Sequence, residues 1–490
     1  MRILRKNGTQ PERGNMDSEI WSGSSPVSTG VAGLDQVLFG GLPPRAMHFL
    51  QGNPGTGKTT LALQFLIDGA AKGEKGLFIT ISQSEADLRR IARSHGMSLD
   101  LLDIEELSPL DLARDVAERQ TVLQTAEVEL ARTMEHIREL LARSKADRIV
   151  FDSLFEFRLL AGNHLSYRRN LLLLKSLVLQ SGATALFLDY ADRELGDRQL
   201  EALAHGVIEL SMRVPTYGKT HRQLCVAKMR GHRFIEGNHD VTIRTGGLTI
   251  FPRIVPDLHE ASPASGIVGS GLSAVDEMLG GGLEEGTTCL IVGQAGTGKS
   301  TLATAYADHG ARSGRSTAMF LFEERPEIFR RRSRDLGFHL EEREKAGTLT
   351  LQHFNPAETS PGEFAQAVVT SVEDRGARVV VIDSLTGYLG AMPEERDLIT
   401  QLHSLLAYLS RRGVLTILIV AQHGVLGGPQ SMDIDTSYLS DTAILLRYEQ
   451  AGTDIRRTIT IVKKRHGDHE TAVRELDIGD GSVDVRPLAT

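Results

Sequence analysis

Cysteine is scarce in this chain. Cys225 and Cys289 are the only two, and they fall in apolar stretches of different halves. Two isolated thiols exclude a disulfide framework and give no zinc-ligand spacing, so a reducing cytoplasm is the expected setting. Long apolar runs are missing too, and none approaches the roughly 20 residues needed to cross a bilayer. The N-terminus, Met1-Arg2-Ile3-Leu4-Arg5-Lys6, lacks the apolar core of a signal peptide. Basic charge is not in excess. The net charge is −8, which argues against a general nucleic-acid-binding surface. Neither a membrane nor a nucleic acid is therefore an expected partner. What remains is ordinary globular composition, 41% hydrophobic and 24% charged over 490 residues, with length for two or three domains.

What is present is a phosphate-binding loop, twice. Gly52-Asn53-Pro54-Gly55-Thr56-Gly57-Lys58-Thr59 and Gly293-Gln294-Ala295-Gly296-Thr297-Gly298-Lys299-Ser300 both fit G-x-x-x-x-G-K-[ST]. Glycines let successive backbone N–H groups face a phosphate, the lysine adds a point charge, and the Thr or Ser hydroxyl reaches Mg²⁺. Thr60 and Thr301 continue each loop into a helical pattern. The expected ligands are ATP and Mg²⁺. Lys58 and Lys299 lie 241 positions apart, and the same offset aligns Thr29-Gly30…Asp35 with Ser270-Gly271…Asp276. A repeat of this length means two whole domains. The boundaries expected are a polar, mobile tail over 1–25, a first domain over 26–251, a Pro- and Ser-rich linker over 252–266, a second domain over 267–485 and a short tail over 486–490.

Continuous apolar runs alternate with helical spacing in each half, which predicts an α/β fold with a mostly parallel sheet flanked by helices. Residues 111–145 predict one or two long amphipathic helices. Two of the apolar runs end in an acid followed by serine, Asp152-Ser153 and Asp383-Ser384. A carboxylate there can hold the hydration shell of Mg²⁺ beside Thr59 or Ser300. The halves differ at the strand after the loop helix. Glu323-Glu324 in the second half are matched, at the 241 offset, by Ser82-Gln83. Glu324, assisted by Glu323, is the expected base for the attacking water or hydroxyl, and Gln cannot take that proton. Slow hydrolysis is expected at the first site, with Glu85 the alternative acid there. Finally, Lys228-Met229-Arg230 and Lys463-Lys464-Arg465 each follow an apolar strand. Lys and Arg two apart on an extended chain point the same way and can present two cations to a γ-phosphate, including that of a neighbouring subunit.

Together these motifs resemble the KaiC family of double-domain RecA-type ATPases and autokinases, over about residues 26–485. The resemblance implies two tandem RecA-like domains, stacked rings of six subunits, ATP at the subunit interfaces, and Lys228, Arg230, Lys463 and Arg465 acting in trans. Clock members phosphorylate an adjacent Ser-Thr pair. Here Ser437 falls on the Ser position and Tyr438 replaces the Thr, while a shifted register makes Thr436-Ser437 the pair. Phosphoacceptor and polar interface loop both remain open for this stretch. A KaiB-like partner follows from the resemblance alone. The chain ends at Thr490 soon after its last strand-like stretch, so a tail for a KaiA-like activator is not expected. Gln422-His423 follows a strand in the second half, where the first half has Asp189-Tyr190; γ-phosphate sensing and a structural strand end are both open for Gln422 and His423. Two other functions compete. A RecA-type DNA-acting ATPase has its best support in the run Arg330-Arg331-Arg332-Ser333-Arg334, and a nucleotide-gated scaffold has its support in Ser82-Gln83.

Overall fold

The apolar runs become central strands because both of their faces are covered. The computed structural model describes residues 25–107, 125–190, 202–264, 266–390, 398–422, 439–451, 454–479 and 481–488. The chain divides into two compact units, Met1–Arg213 with Arg222–Pro252, and Val214–His221 with Arg253–Thr490.

The first unit carries β1 (Met47–Gly52), β2 (Gly76–Thr80), β3 (Leu102–Glu106), β4 (Arg148–Asp152), β5 (Thr184–Asp189), β6 (Gly206–Arg213), β7 (His221–Met229), β8 (Asn238–Arg244) and β9 (Gly247–Phe251). Their order across the sheet is β3-β2-β4-β5-β1-β6-β7-β8-β9. Pairing is parallel from β3 to β6 and antiparallel from β7 to β9.

In the second unit a short ribbon of β10 (Ile267–Val268) and β11 (Leu283–Glu284) comes before the main sheet. The sheet is built from β12 (Thr288–Gly293), β13 (Thr317–Leu321), β14 (Leu349–His353), β15 (Val379–Asp383), β16 (Leu415–Ala421), β17 (Thr442–Ala451), β18 (Asp454–Lys464), β19 (Arg474–Gly479) and β20 (Ser482–Pro487). Its order is β14-β13-β15-β16-β12-β17-β18-β19-β20, the same permutation as in the first unit. The two units are thus α/β domains of one topology, each mostly parallel.

Strand β13 shows how the packing works. All five of its residues are buried, with Met319 and Leu321 entering one core and Ala318 and Phe320 the other. That is the period-2 alternation of a sheet covered on both faces. In the first unit, helix His164–Ser181 buries Tyr167, Leu171, Leu174 and Val178, a helical stripe in which each side chain contributes about 1.5–3 kcal/mol. The amphipathic stretch expected over 111–145 is a helix at Thr125–Ser144, with Ile137, Leu140 and Leu141 in the core; residues 108–124 lie outside the described residues. So do residues 1–24 of the expected tail, and Thr436, Ser437 and His423.

The Pro-rich stretch before the second domain is a docked strap. Ile254 enters the second unit's core, Ser262 N–H donates to the Arg411 carbonyl at 2.9 Å, and Arg411 Nε donates to the His259 carbonyl at 2.8 Å. Among the described residues, no helix is long and apolar enough to cross a membrane.

Candidate nucleotide sites

Each phosphate loop leaves the carboxyl end of the strand at the centre of its sheet, β1 or β12, where ligands of open parallel sheets bind. Gly57 and Gly298 precede the loop helices Lys58–Ala71 and Lys299–Arg312 with φ of 105° and 100°. These φ values favour glycine at both positions, and a Cβ there would also crowd Ile243 Cδ1 at 2.8 Å and Ile478 Cδ1 at 2.5 Å respectively. Neither helix has a side-chain cap on its first turn. Its leading N–H groups are therefore free to face an anion. Thr56 and Thr297 brace the loops by donating to the carbonyls of Asn53 and Gln294, both at 2.8 Å. The repeated Gly-rich motifs upstream of the loops are structural. Thr29 and Ser270 each donate, through N–H and hydroxyl, to Asp35 and Asp276 respectively.

Lys58 Nζ rests on the Gly52 carbonyl at 2.6 Å, and Lys299 Nζ on the Gln294 carbonyl at 2.7 Å. Burial lowers the pKa of both lysines, opposed by Asp152, Asp189 and Glu156 at the first site and by Asp383 and Glu323 at the second. Loss of hydration pushes Asp152 and Asp383 each up to about 6, while the Thr59 and Ser82 hydroxyls hold Asp152 down and the Ser300 hydroxyl holds Asp383 down. The two expected metal pairs, Thr59 with Asp152 and Ser300 with Asp383, are thus each brought together. Asp152 Oδ2 is buried without a hydrogen-bond partner. A buried carboxylate oxygen with a hydroxyl beside it fits Mg²⁺, a hard cation that takes one or two carboxylates plus phosphate and water oxygens.

The acids behind the loops separate the sites. In the second unit, Ser384 donates to Glu323 Oε1 at 2.6 Å. Glu324 is turned to Arg332, which grips it through Nε at 3.3 Å and Nη2 at 2.8 Å. Glu324, the expected base, is thus held by Arg332, while Glu323 is the acid that acts on Lys299 together with Asp383. At the first site, Ile81 N–H donates to the Asp152 carbonyl as Phe322 N–H donates to that of Asp383. By this register Ser82-Gln83 stand where Glu323-Glu324 stand. Glu85 opens helix Glu85–Ser94 and pairs with Arg89 at 2.8 Å. Besides Asp189, the acid that acts on Lys58, and on Asp152 as well, is Glu156, which Ser153 contacts by donating its hydroxyl proton. The 241-residue offset does not point to it, since it pairs Glu156 with residue 397. The signal was the pair Asp152-Ser153-Leu154-Phe155-Glu156 and Asp383-Ser384-Leu385-Thr386-Gly387. At the strand after β4, Asp189 is buried, raised to about 6 by desolvation, and 3.4 Å from Arg158, with the Tyr190 ring 5.0 Å from Lys58 Nζ. Gln422 N–H donates to the Gly293 carbonyl at 3.0 Å.

The Lys-x-Arg elements lie at the other end of the sheets. Lys228 Nζ donates to the Ala204 carbonyl at 3.0 Å and Arg230 Nη2 to that of Ala202 at 2.7 Å. Lys463 Nζ donates to the Ser440 carbonyl at 2.6 Å, and Arg465 pairs with Asp441 at 3.0 Å. Asp441 accepts from the N–H of Thr288, the first residue of β12, whereas the loop leaves its last, Gly293. Five strand steps separate them, about 17 Å, so this pair does not reach the loop of its own chain. The basic run at 330–334 is largely neutralised in place: Arg330 binds Glu344 at 2.7 Å, Arg332 binds Glu324, and Arg334 binds Glu341.

Two parallel-sheet units, each with a phosphate loop at its central strand and an acid at the neighbouring strand end, define a tandem P-loop nucleotide-binding protein. The model of the KaiC ATPase family matches residues 27–254 and 268–490, and this chain belongs to that family; its two units are KaiC-type ATPase domains. It is 26% identical over 97% of its length to the circadian clock oscillator protein KaiC of Parathermosynechococcus lividus, covering 88% of that protein. It is 27% identical to the circadian clock protein KaiC3 of Synechocystis sp., over 93% of this chain and 90% of the relative. Against KaiC of Synechococcus elongatus the identity is 26%, over 94% and 89%.

Proposed function

We propose that this protein binds Mg-ATP in both units and hydrolyses it chiefly in the second, as a self-assembling ring. The observation that carries the division of labour is the Glu323-Glu324 pair set behind the Lys299 loop, against Ser82-Gln83 behind the Lys58 loop. Lys58 and Lys299 hold phosphates, Thr59 with Asp152 and Ser300 with Asp383 hold Mg²⁺, and the remaining loop residues cradle the anion with backbone N–H groups. Mg²⁺, when bound, neutralises charge on the phosphates. Glu323, with Glu324 beside it, orients the attacking water and takes its proton.

Assembly follows from the basic elements. Lys463 and Arg465 sit at the far end of β12 from their own loop, so a nucleotide role for them requires a second copy. The expected assembly is the six-subunit ring, with Lys228 and Arg230 serving the first tier in the same way. The experiment is phosphate release with Mg-ATP together with particle size with and without ATP. Turnover with ATP-dependent growth in size supports the reading. Growth without turnover would leave a nucleotide-gated scaffold.

Relatives named as clock proteins carry a second reading, autophosphorylation of Ser437 or Thr436 by the second unit. Mass spectrometry after incubation with Mg-ATP tests it, and unmodified Thr436, Ser437 and Tyr438 would sink it. A KaiB-like partner belongs to the same reading.

A further inference from the structure

The first site is not without an acid; its acid comes from a different element. We propose that Glu156 plays at the first site the part that Glu323 plays at the second. This rests on the reading that both units bind Mg-ATP.

Ser153 and Ser384 occupy the same position, directly after the strand-end acids of β4 and β15. Each donates its hydroxyl proton to one carboxylate: Glu156, three residues on in helix Leu154–Ala161, and Glu323, at the end of the neighbouring strand. The counterpart of Glu156 is Gly387, likewise three residues past its serine, whose N–H donates to Ser384 Oγ at 3.0 Å. A Cβ built on Gly387 would fall 2.9 Å from Glu323 Oε1 and 3.1 Å from its Cγ. A side chain at this helix position would therefore crowd Glu323 and require its carboxylate to shift. The second unit has Glu323 and glycine; the first has Ser82 and Glu156. The charged neighbours correspond, with Asp189 an additional acid acting on Lys58. Glu156 acts on Lys58 and Asp152 as Glu323 acts on Lys299 and Asp383. What the first unit has lost outright is the outer ion pair. Glu324 with Arg332 becomes Gln83 with Ile91 at the 241 offset.

The step needs no reagent beyond ATP and water. Water attacks the γ-phosphorus as its bond to the β–γ bridging oxygen breaks. That oxygen leaves on ADP, and the proton of the water passes to the Glu156 carboxylate, giving ADP and phosphate. Slow turnover at the first site then follows from a carboxylate presented by a helix, without the Glu324–Arg332 pair behind it.

The test uses the full chain with Glu323→Gln and Glu324→Gln, so that residual phosphate release reports the first site. Adding Glu156→Gln is expected to lower that residual by about 10²-fold, with retention of radiolabelled ATP unchanged. Returning the acid to the strand, Ser82→Glu with Glu156→Gly, is expected to restore it. Residual turnover that survives Glu156→Gln but is lost with Lys58→Ala would overturn the assignment of Glu156 alone. Turnover indifferent to both changes, or no residual turnover at all, would also overturn the reading that the first unit hydrolyses ATP.

Discussion

At the first site the serine after the strand-end acid bonds a helix glutamate, Glu156; at the second the equivalent serine bonds a strand glutamate, Glu323. Beyond that exchange the sites differ in the Glu324–Arg332 pair of the second and in Asp189 beside Lys58 at the first, and otherwise share their frame. The loop lysines rest on loop carbonyls, the strand-end acids are both raised to about 6, and the loop glycines pack on equivalent isoleucines. On the proposed assignment, two sites of one topology present a carboxylate to the same place from different elements, with a small residue at the alternative position.

The largest effect is expected from Glu323→Gln, which should cut steady-state ATP turnover by roughly 10²–10⁴-fold, while Glu324→Gln, already held by Arg332, costs less. Equal losses in a phosphate-release assay would remove the distinction between the two acids. Next comes Arg148, which is 2% exposed at the start of β4 and bonds Asp68 at 3.1 Å, Glu74, and the carbonyls of Ser28 and Phe65. Its counterpart in the second unit is Val379. Arg148→Ala strands the partners of a buried charge and is expected to cost about 3 kcal/mol in urea unfolding, a liability that the second unit does not share.

A smaller effect concerns the strand-end acids. Both have folded-state values near 6 against 3.8 unfolded, so the folded protein binds more protons between about pH 4 and 6. Their cost to stability appears as pH rises through that window and is complete at neutral pH. Asp152→Asn or Asp383→Asn is expected to stabilise the ligand-free protein at pH 7.5 by roughly 1–3 kcal/mol. The gain in melting temperature should vanish by about pH 4. A gain that persists there would contradict the burial argument. The smallest effect is expected from Arg332→Ala. It releases Glu324 from a partly exposed pair worth about 0.5–1 kcal/mol, and should change turnover only a few-fold.

Much of this was legible in the sequence. The loops, the strand-end acids, the α/β alternation and the loss of Glu323-Glu324 from the first half all followed from spacing. Glu156 did not, because the offset that aligns the halves changes from 241 at the loops to 231 at Asp152 and Asp383. A comparison held at 241 pairs Glu156 with the wrong residue. The role of Ser153 was hidden for the same reason. Arg148 reads as an ordinary strand-edge charge until Gly69 is seen to leave room for it: a Cβ there would lie 2.5 Å from its Nε. The distance of Lys463 and Arg465 from their own loop depends on β18 running antiparallel to β17, which apolar patterning does not encode. The strap over 253–262 was hidden by composition, since Pro and Ser mark both free linkers and docked ones.

The most direct test places Lys58→Ala and Lys299→Ala side by side in the full chain, measuring ATP turnover and ATP-dependent particle size for each. Lys299→Ala is expected to lose most of the turnover while still assembling with ATP. Lys58→Ala is expected to keep most of the turnover while assembling poorly. Equal losses of turnover, or the reverse pattern, would contradict a chain in which one phosphate loop chiefly holds ATP and the other chiefly hydrolyses it.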